Sequence, residues 1–206
     1  MLINVCDKRC VSAMETKVRF VDSRQALYSG DLLLRGRLDR MAKAINLSYV
    51  EGARTAMDAD AAWNLLDYFS RESSRASADF IPAMLHIAGI SMEEARDESI
   101  LSAKIPKGSP LLEVLGQTEH LRWNAYHFAM GYSKMTIDEV RQRAEEGITP
   151  YQKDVANRRH ACLIGWDELD ELSAVMSQIT GKEIDYKEYD LKNIYQIPRT
   201  LSFVTE

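Results

Sequence analysis

Side chains able to do chemistry are concentrated at residues 118–127 (TEHLRWNAYH), late in the most strongly helical segment of the chain. A histidine gains or loses a proton near neutral pH, and a tryptophan ring stacks on flat groups, with about 1–3 kcal/mol for a nucleic-acid base. Glu119 and His120 could form an acid–base pair, but adjacent helical side chains point about 100° apart. Glu119 and Arg122 predict a helix-surface ion pair of a few tenths of a kcal/mol. We expect ligand binding and predict no catalytic residue.

The helix that carries this stretch has recognisable ends. Ser109 can cap it and Pro110 fits its first turn. With Gly131 just past the end, the predicted helix runs from about Pro110 to Met130. One face is apolar and is expected to be buried: Leu111, Leu115, Thr118, Leu121, Ala125 and Ala129. The other face offers a small residue and rings on which a flat ligand or a second helix could lie: Leu112, Gly116, His120, Trp123 and His127.

Two tryptophans and a histidine each have two interpretations. Trp123 and Trp166 could stack on either side of an adenine, or both could lie in the core of a helical hairpin. His120 could hydrogen-bond a ligand, or it could hold the chain near Trp166 through one ring nitrogen. In either case, His120 is a buried polar group that needs a partner.

The basic run of Arg158, Arg159 and His160 is the best candidate for a phosphate site. It precedes a predicted helix, and guanidinium groups and free helix N–H groups both favour an anion. A solvated basic turn explains the run equally well. In the first half of the chain, Arg75 follows a pair of serines and is the corresponding candidate.

The sequence predicts neither a metal site nor a cofactor. His120 and His127 are separated by about 10 Å of helical rise, too far to share one ion. Cys6 and Cys10 lack a second pair of ligands, so free thiols are their expected state. The chain contains no glycine-rich phosphate loop and none of the common hydrolase motifs.

The composition indicates a globular protein. With 206 residues, 46% of them hydrophobic, the chain can form one large domain or two small ones. The net charge is -5 and there is no basic stripe, so nucleic acid is not an expected partner. No apolar run approaches the roughly 20 residues that cross a bilayer. Charged residues occur too close to the start for a secretory signal, and three cysteines cannot form a closed set of disulfides. We expect no membrane insertion and a cytoplasmic location.

The order of the elements predicts a mainly α-helical fold. Short β-branched or apolar stretches indicate strands at Leu2–Val5 and Lys17–Val21. Apolar residues at helical spacing indicate a first long helix over about Leu32 to Val50. Helical patterns continue almost to the end, and three capping boxes open further helices: Ser91–Glu94, Thr136–Glu139 and Thr149–Gln152.

The helical part contains an internal repeat. In each half a long helix, a connection and a Trp-x-x-Leu helix start follow one another: Ile45–Tyr49 with Trp63–Leu66, and Glu119–Trp123 with Trp166–Leu169. We expect tandem helical repeats related by a pseudo-twofold axis, with a cleft between them. The predicted divisions are a short strand-containing N-terminal segment at 1–30, a first repeat at 31–105 and a second at 106–206.

These patterns resemble the ryanodine receptor repeat (RyR) domain family in its bacterial form, over roughly Leu32 to Thr200. The second half carries most of the resemblance, in Glu119–Trp123, Gly131–Tyr132, His160–Leu169, Tyr189–Asp190 and Ile197–Pro198. In the first half, residues 73–78 (SSRASA) resemble the family's Ser-Asn-Arg-Ala-Gln-Ala. Asn46, Ser74 and Tyr132 depart from the family pattern, in which His, Asn and Trp are usual.

The resemblance implies a non-enzymatic regulatory module that binds a nucleotide-derived small molecule and passes the signal to attached domains. Similar bacterial proteins often carry such repeats after a Rossmann domain of the potassium-channel-regulator type, and residues 1–30 resemble the last piece of one. Two alternatives stay open. A protein-interaction or oligomerisation module, including a homodimer, would use the aromatic face against another helix. A nucleotide hydrolase would depend on His120.

Overall fold

The structure is a computed structural model that describes residues 2–4, 19–21, 39–50 and 58–203. It is mainly helical, as the sequence predicts. The described α-helices are α1 Arg40–Val50, α2 Ala59–Asn64, α3 Tyr68–Ile87, α4 Glu98–Lys104, α5 Pro110–Ala129, α6 Ile137–Glu145, α7 Glu168–Thr180, α8 Tyr186–Tyr195 and α9 Ile197–Ser202.

The described strands are short. They are β1 Leu2–Asn4, β2 Arg19–Val21, β3 Ser133–Lys134, β4 Lys153–Asp154 and β5 Arg159–His160. Strands β1 and β2 pair in parallel, while β5 lies between β3, to which it is parallel, and β4, to which it is antiparallel. The two predicted N-terminal strands are therefore present, each slightly shorter than expected.

Side-chain caps set the ends of the helices. The Ser109 hydroxyl accepts a hydrogen bond from the Leu112 N–H at 3.2 Å, Pro110 is the first residue of α5, and Met130 is its C-cap. The predicted bounds of this helix are therefore confirmed to within a residue. The capping box at Thr136 is also complete, because both of its reciprocal hydrogen bonds to Glu139 are formed.

One predicted helix start is wrong. The capping box expected at Thr149–Gln152 does not open a helix, because the chain continues into β4 and pairs with β5. The Ala161 N–H donates to the Gln152 carbonyl at 2.8 Å, which extends this pairing. The pattern was misleading because backbone pairing with a distant segment was available, and such pairing outweighs a local capping preference. Residues 32–38 of the first predicted helix, and Cys6 and Cys10, lie outside the described residues.

The buried apolar side chains form two clusters. The first joins α1, α3 and the start of α5 to the last two helices, α8 and α9, through Ile194, Ile197 and Leu201. The second lies among residues 135–176, with Val140, Leu169 and Leu172 at its centre. Helices α8 and α9 thus pack with the first half of the chain. The division into two repeats and their pseudo-twofold axis stay predictions.

The orientation of α5 differs from expectation. Its buried side is largely polar and consists of Leu112, Leu115, Gly116, Glu119, His120, Asn124 and His127. On the side expected to be buried, Leu121 is 66% exposed, and its neighbour Phe128 is 52% exposed. The predicted apolar burial of Leu121 is therefore wrong, because α5 turns toward the partners that its polar groups need. No helix in the described part of the chain is both long and apolar enough to cross a membrane.

Candidate functional site

A cleft of two adjoining cavities lies where α1 and α3 face α5, α8 and the β4–β5 pair. The serine cavity has a volume of about 280 Å³ and is lined by Ile45, Asn46, Tyr49, Leu66, Phe69, Ser70, Ser73, Ser74, Ser77, Arg122, Trp123, His127, Lys153 and His160. The tyrosine cavity has a volume of about 440 Å³ and is lined by Tyr49, His120, Trp123, Gln152, Lys153, His160, Cys162, Leu169, Tyr186, Tyr189, Asp190 and Asn193. Four residues line both cavities: Tyr49, Trp123, Lys153 and His160.

One wall of the serine cavity is the hydroxyl-bearing face of α3. Its serines recur at three- and four-residue spacing, which places them on one side of the helix: Ser70, Ser73, Ser74 and Ser77. The Ser74 hydroxyl donates to the Ser70 carbonyl at 3.1 Å. The Ser77 hydroxyl donates to the Glu119 carboxylate at 3.4 Å. These small side chains leave room for a ligand beside polar groups.

The opposite wall contains a buried ion pair on α5. Arg122 donates from Nε and Nη2 to the two carboxylate oxygens of Glu119, at 2.8 Å each. Glu119 is only 1% exposed and the Arg122 side chain 11%. The expected surface pair is therefore wrong, because this face of α5 packs against α3 and α8. Because both groups are buried, the removal of either charge would leave the other unpaired and away from water. That loss costs far more stability than the loss of one partner of a surface ion pair.

Two buried donors of the serine cavity lack a protein partner. The side-chain nitrogen Nδ2 of Asn46 and the third guanidinium nitrogen Nη1 of Arg122 make no hydrogen bond within the described part of the chain. Asn46 is itself 5% exposed. Each of these two nitrogens is itself shielded from solvent, so neither is exposed to the open space of the cavity in this arrangement.

Two neutral histidines complete the serine cavity. The His127 Nδ1–H donates to the Trp123 carbonyl at 3.0 Å, and the His160 Nδ1 accepts from the Cys162 N–H at 3.1 Å. Burial lowers the pKa of His127 to about 4 and that of His160 to about 3. Both rings are therefore uncharged at neutral pH, with their centroids 5.8 Å apart.

Lys153 is the cation that the sequence analysis missed. It lines both cavities, and its ammonium lies 5.9 Å from the Phe69 ring centroid. It forms no ion pair with any residue that the structure describes. Among the described residues that line the serine cavity, Arg122 is paired with Glu119 and Lys153 is the cation without an ion pair. No local pattern marks Lys153, because it reaches the cleft through a strand pairing that the sequence does not reveal.

The tyrosine cavity has flat apolar walls and polar ends. Tyr186 and Tyr189 have ring centroids 6.1 Å apart, and Trp123 forms the wall shared with the serine cavity. Burial raises the pKa of the Tyr186 hydroxyl, so that group stays protonated. Gln152 and Asn193 also line this cavity, and the Asn193 amide donates to Glu119 and accepts from the Tyr49 hydroxyl. Such a site suits a planar, hydrogen-bonding ring system.

His120 joins three parts of the chain. Its Nδ1 lies 3.0 Å from the Asp190 carboxylate and its Nε2 lies 2.9 Å from the Ile164 carbonyl. The Asn124 amide donates to the same carbonyl at 2.9 Å. Both ring nitrogens of His120 are thus engaged with the protein, in the arrangement expected if the ring holds the chain near Trp166. His120 contributes a face of its ring to the tyrosine cavity.

The predicted sandwich of two tryptophans does not form. Trp123 lines both cavities, but Trp166 is 8% exposed and is not among the residues that line them. The His120 ring contacts both indoles, with centroids at 6.1 Å from Trp123 and 5.9 Å from Trp166. The Trp166 indole N–H instead donates to Glu113. Trp166 therefore belongs to the core, and only Trp123 is placed to stack on a ligand.

The predicted phosphate site of three basic residues is not assembled either. Arg159 pairs with Glu139 and donates to the Lys134 carbonyl at 2.8 Å. Arg158 is exposed and donates to the Met130 carbonyl at 3.3 Å. Of the three, His160 lines the cleft. Adjacent residues of a strand point to opposite sides, which turns Arg159 away, and Arg158 precedes β5 in a left-handed backbone conformation, with φ at 51°. The next helix, α7, also begins with acidic residues, which disfavour an anion at its N-terminus: Glu168, Asp170 and Glu171.

Arg75, the candidate of the first half, is also engaged elsewhere. Its guanidinium donates to both carboxylate oxygens of Asp39, at 2.7 and 2.8 Å, and pairs with Glu72. It lies over the Trp63 ring at 5.4 Å and is not among the residues that line the two cavities. The charged side chains that do line the cleft are Arg122, Lys153 and Asp190.

Within the described ranges, no group of three or more His, Cys, Asp or Glu side chains could hold a metal ion. Comparison of the chain with protein-family models, curated proteins and solved structures gives no match. The resemblance to the RyR domain family therefore depends on the residues of this chain alone.

Proposed function

We propose that this chain is a non-enzymatic regulatory module that binds a small, nucleotide-derived molecule in the cleft. The observation that carries the proposal is the cleft itself, in which two adjoining cavities share an aromatic wall, Trp123, and a cationic side chain, Lys153. A ligand with acceptor atoms at one end and a planar ring at the other would satisfy both cavities. The volume of the tyrosine cavity, about 440 Å³, falls within the range of small-molecule sites, and that of the serine cavity, about 280 Å³, lies just below it.

The shared wall sets the placement of the ligand. The planar part would lie in the tyrosine cavity with one face against Trp123, where base stacking contributes about 1–3 kcal/mol. The acidic part would lie in the serine cavity near Lys153 and Arg122. A flat, anionic molecule of this kind matches a nucleotide derivative better than a sugar or a lipid.

The position of the cleft supports a regulatory role. Its walls come from α1 and α3 on one side and from α5, α8 and the β4–β5 pair on the other. A ligand that contacts both sides stabilises their mutual position by its binding free energy. That change can be transmitted to attached domains, among which we include a Rossmann domain of the channel-regulator type.

Thermal unfolding against a panel of adenine, guanine, cyclic and dinucleotide compounds tests the proposal. A ligand at 100 times its dissociation constant adds about 2.7 kcal/mol, which raises the unfolding midpoint of a chain of this size by about 5–10 °C. Trp123→Ala should abolish the shift. Phe128→Ala is the matched control, because this exposed aromatic lies on the other side of the same helix. A flat panel would refute the proposed ligand class.

A protein-interaction module is the second candidate, and the outer face of α5 favours it. Val114, Leu121 and Phe128 lie seven residues apart and are 48%, 66% and 52% exposed. An apolar stripe with heptad spacing is typical of a helix that packs against another helix. The molecular mass measured over a range of protein concentrations would detect a homodimer, and Leu121→Ser should then return the mass to that of a monomer.

A further inference from the structure

We infer that His127 and His160 form a matched hydrogen-bond acceptor and donor for a sugar hydroxyl of the ligand, so that the cleft prefers a ribose unit to a deoxyribose unit. The inference rests on the proposed function, because it names the part of the nucleotide-derived ligand that joins the planar ring to the acidic group. It deepens that proposal, since it predicts which of two sugar classes the ligand carries.

The tautomer of each ring follows from its backbone partner. A carbonyl oxygen can only accept, so the His127 Nδ1, 3.0 Å from the Trp123 carbonyl, carries a proton. A backbone N–H can only donate, so the His160 Nδ1, 3.1 Å from the Cys162 nitrogen, carries none. Both rings are neutral at pH 7, because burial lowers the pKa of His127 to about 4 and that of His160 to about 3. The His127 Nε2 is therefore an acceptor, and the His160 Nε2–H is a donor.

Both Nε2 atoms have access to the cleft. Neither makes a hydrogen bond within the described part of the chain, and neither is among the described side-chain atoms that are both unbonded and shielded from solvent. His127 as a whole is only 3% exposed, and both rings line the serine cavity, so this cavity is the open space that the two nitrogens reach. The ring centroids lie 5.8 Å apart, which allows one ligand to contact both rings.

The roles of the two nitrogens select the kind of group. An ionised oxyanion offers only acceptors, so it would place a lone pair against the bare His127 Nε2. An ammonium group offers only donors, so it would face the His160 N–H without a hydrogen bond. A hydroxyl both donates and accepts, and it can therefore pair with either nitrogen or with both. Leaving a buried donor or acceptor unpaired is unfavourable, so this point of the cleft favours a hydroxyl.

The position of the pair indicates the sugar rather than the base. His160 lines both cavities, whereas His127 lines the serine cavity and is not among the residues that line the tyrosine cavity. The Trp123 ring, which forms the shared wall, lies 5.0 Å from the His160 ring between centroids. With the planar part in the tyrosine cavity and the acidic part near Lys153, the sugar that joins them passes this wall. The serines of α3, which line the same cavity, add further hydroxyl partners.

Sugar phosphates with a closed ring test the pair without the base. The full chain is titrated with methyl ribofuranoside 5-phosphate and with its 2-deoxy and 3-deoxy forms, and the unfolding midpoint and the heat of binding are followed. We expect at least one deoxy form to bind about tenfold more weakly than the ribose compound, because the missing hydroxyl leaves a histidine nitrogen unpaired. The weaker deoxy form identifies the hydroxyl. Equal binding of all three compounds, or no saturable binding of any, would overturn the inference.

Two variants locate the preference for the ribose compound. His127→Phe removes the acceptor and His160→Phe removes the donor, while each keeps an aromatic ring, so both should bring the ribose and deoxy compounds close to equal affinity. His160→Gln, whose amide can still donate, should retain part of the preference. His86→Phe is the matched control, because His86 is exposed on α3 and is not among the residues that line the two cavities. A preference that survives in full in His127→Phe and His160→Phe would contradict the pair.

The tautomers can be measured in the unmodified chain, so the test does not depend on the folding of a variant. Nitrogen NMR of the histidine side chains distinguishes a ring protonated on Nδ1 from one protonated on Nε2. At neutral pH we expect the Nδ1–H tautomer for His127 and the Nε2–H tautomer for His160. The same tautomer in both rings, or a charged ring, would remove the acceptor and donor pair and overturn the inference.

The outcome is separable from that of the nucleotide panel. A preference for the ribose compound that depends on His127 and His160, together with a flat nucleotide panel, would support the pair and refute the nucleotide class. A nucleotide that raises the unfolding midpoint equally in its ribose and deoxyribose forms would refute the pair and leave the proposed function standing.

Discussion

The two faces of α5 reverse the usual distribution of polar and apolar side chains. The inner face buries a carboxylate, an amide and two imidazoles, while the outer face exposes Val114, Leu121 and Phe128. Each inner group has a partner of matching chemistry, such as Arg122 for Glu119 and Asp190 for His120. The polar side chains of this helix are therefore buried where hydrogen-bond partners are available. A candidate functional face is then identified by the polar groups that it buries.

The largest expected effect comes from the inner ion pair. Glu119→Ala leaves the Arg122 guanidinium buried without its carboxylate, which should lower the free energy of unfolding by about 3–5 kcal/mol. Asp138→Ala is the matched control, since Asp138 pairs with Arg141 at the same three-residue spacing on an exposed surface. There the loss should stay below about 1 kcal/mol. Urea unfolding of both variants measures the contrast, and equal losses would contradict the difference between the faces.

The pH dependence of stability is the next effect. Because burial lowers the pKa of His127 from 6.5 to about 4, the unfolded chain takes up this proton at a higher pH than the native chain. The contribution of the neutral His127 ring to the free energy of unfolding is therefore fully present above pH 6.5 and is lost as the pH falls toward 4. About 2–3 kcal/mol of it is lost by pH 4.5.

Urea unfolding at a series of pH values checks this sign. His127→Gln should show a smaller loss of stability than the unmodified chain between pH 7 and 4.5. His86→Gln, at an exposed position of α3, is the control for the substitution itself. A steeper loss in His127→Gln would mean that the inner face does not hold a neutral ring.

Gly116 tests the comparison of the two faces of α5 at the apolar end of the inner face, where the packing is tight. An added Cβ at Gly116 would lie 2.6 Å from Leu191 Cδ2 and 2.9 Å from Trp166 Cη2. Gly116→Ala should therefore lower the free energy of unfolding by about 1–3 kcal/mol through overpacking, although alanine otherwise favours a helix over glycine by up to about 1 kcal/mol. Gln117→Ala, one residue away and exposed, is the control, and thermal unfolding should show no loss for it.

The outer face should give the smallest effect on stability. Leu121→Ser removes an apolar side chain that is already 66% exposed, so the free energy of unfolding should change by less than about 0.5 kcal/mol. Sedimentation at several concentrations of the same variant measures any loss of self-association. A stability loss of several kcal/mol would show that Leu121 is covered in the folded protein.

The sequence predicts the helical framework well where the signals are local. The cap at Ser109, the capping box at Thr136 and the bounds of α5 each depend on a few neighbouring residues, and the structure has them. The direction in which α5 faces depends on partners such as Asp190 and Ile164, which are far away in the chain. Periodicity alone could not show which of two stripes those partners meet.

The cleft was only partly predictable for the same reason. Trp123 and His160 were singled out by residue type, and both reach the cleft. Asn46 was noted only as a departure from the family pattern, and Lys153 was not noted at all, because a lysine is unremarkable until packing places it beside a cavity. Two of the arginines that looked available for an anion, Arg75 and Arg159, are held by carboxylates that a single sequence cannot pair with them.

The β4–β5 pair that carries Lys153 and His160 has a further consequence. The two residues are paired across antiparallel strands of only two residues each, at one edge of the cleft. So short a ladder opens at a lower free energy than the helices packed behind it. Amide hydrogens at this corner should exchange with solvent long before those of the helical core, and a molecule held by Lys153 would slow their exchange first.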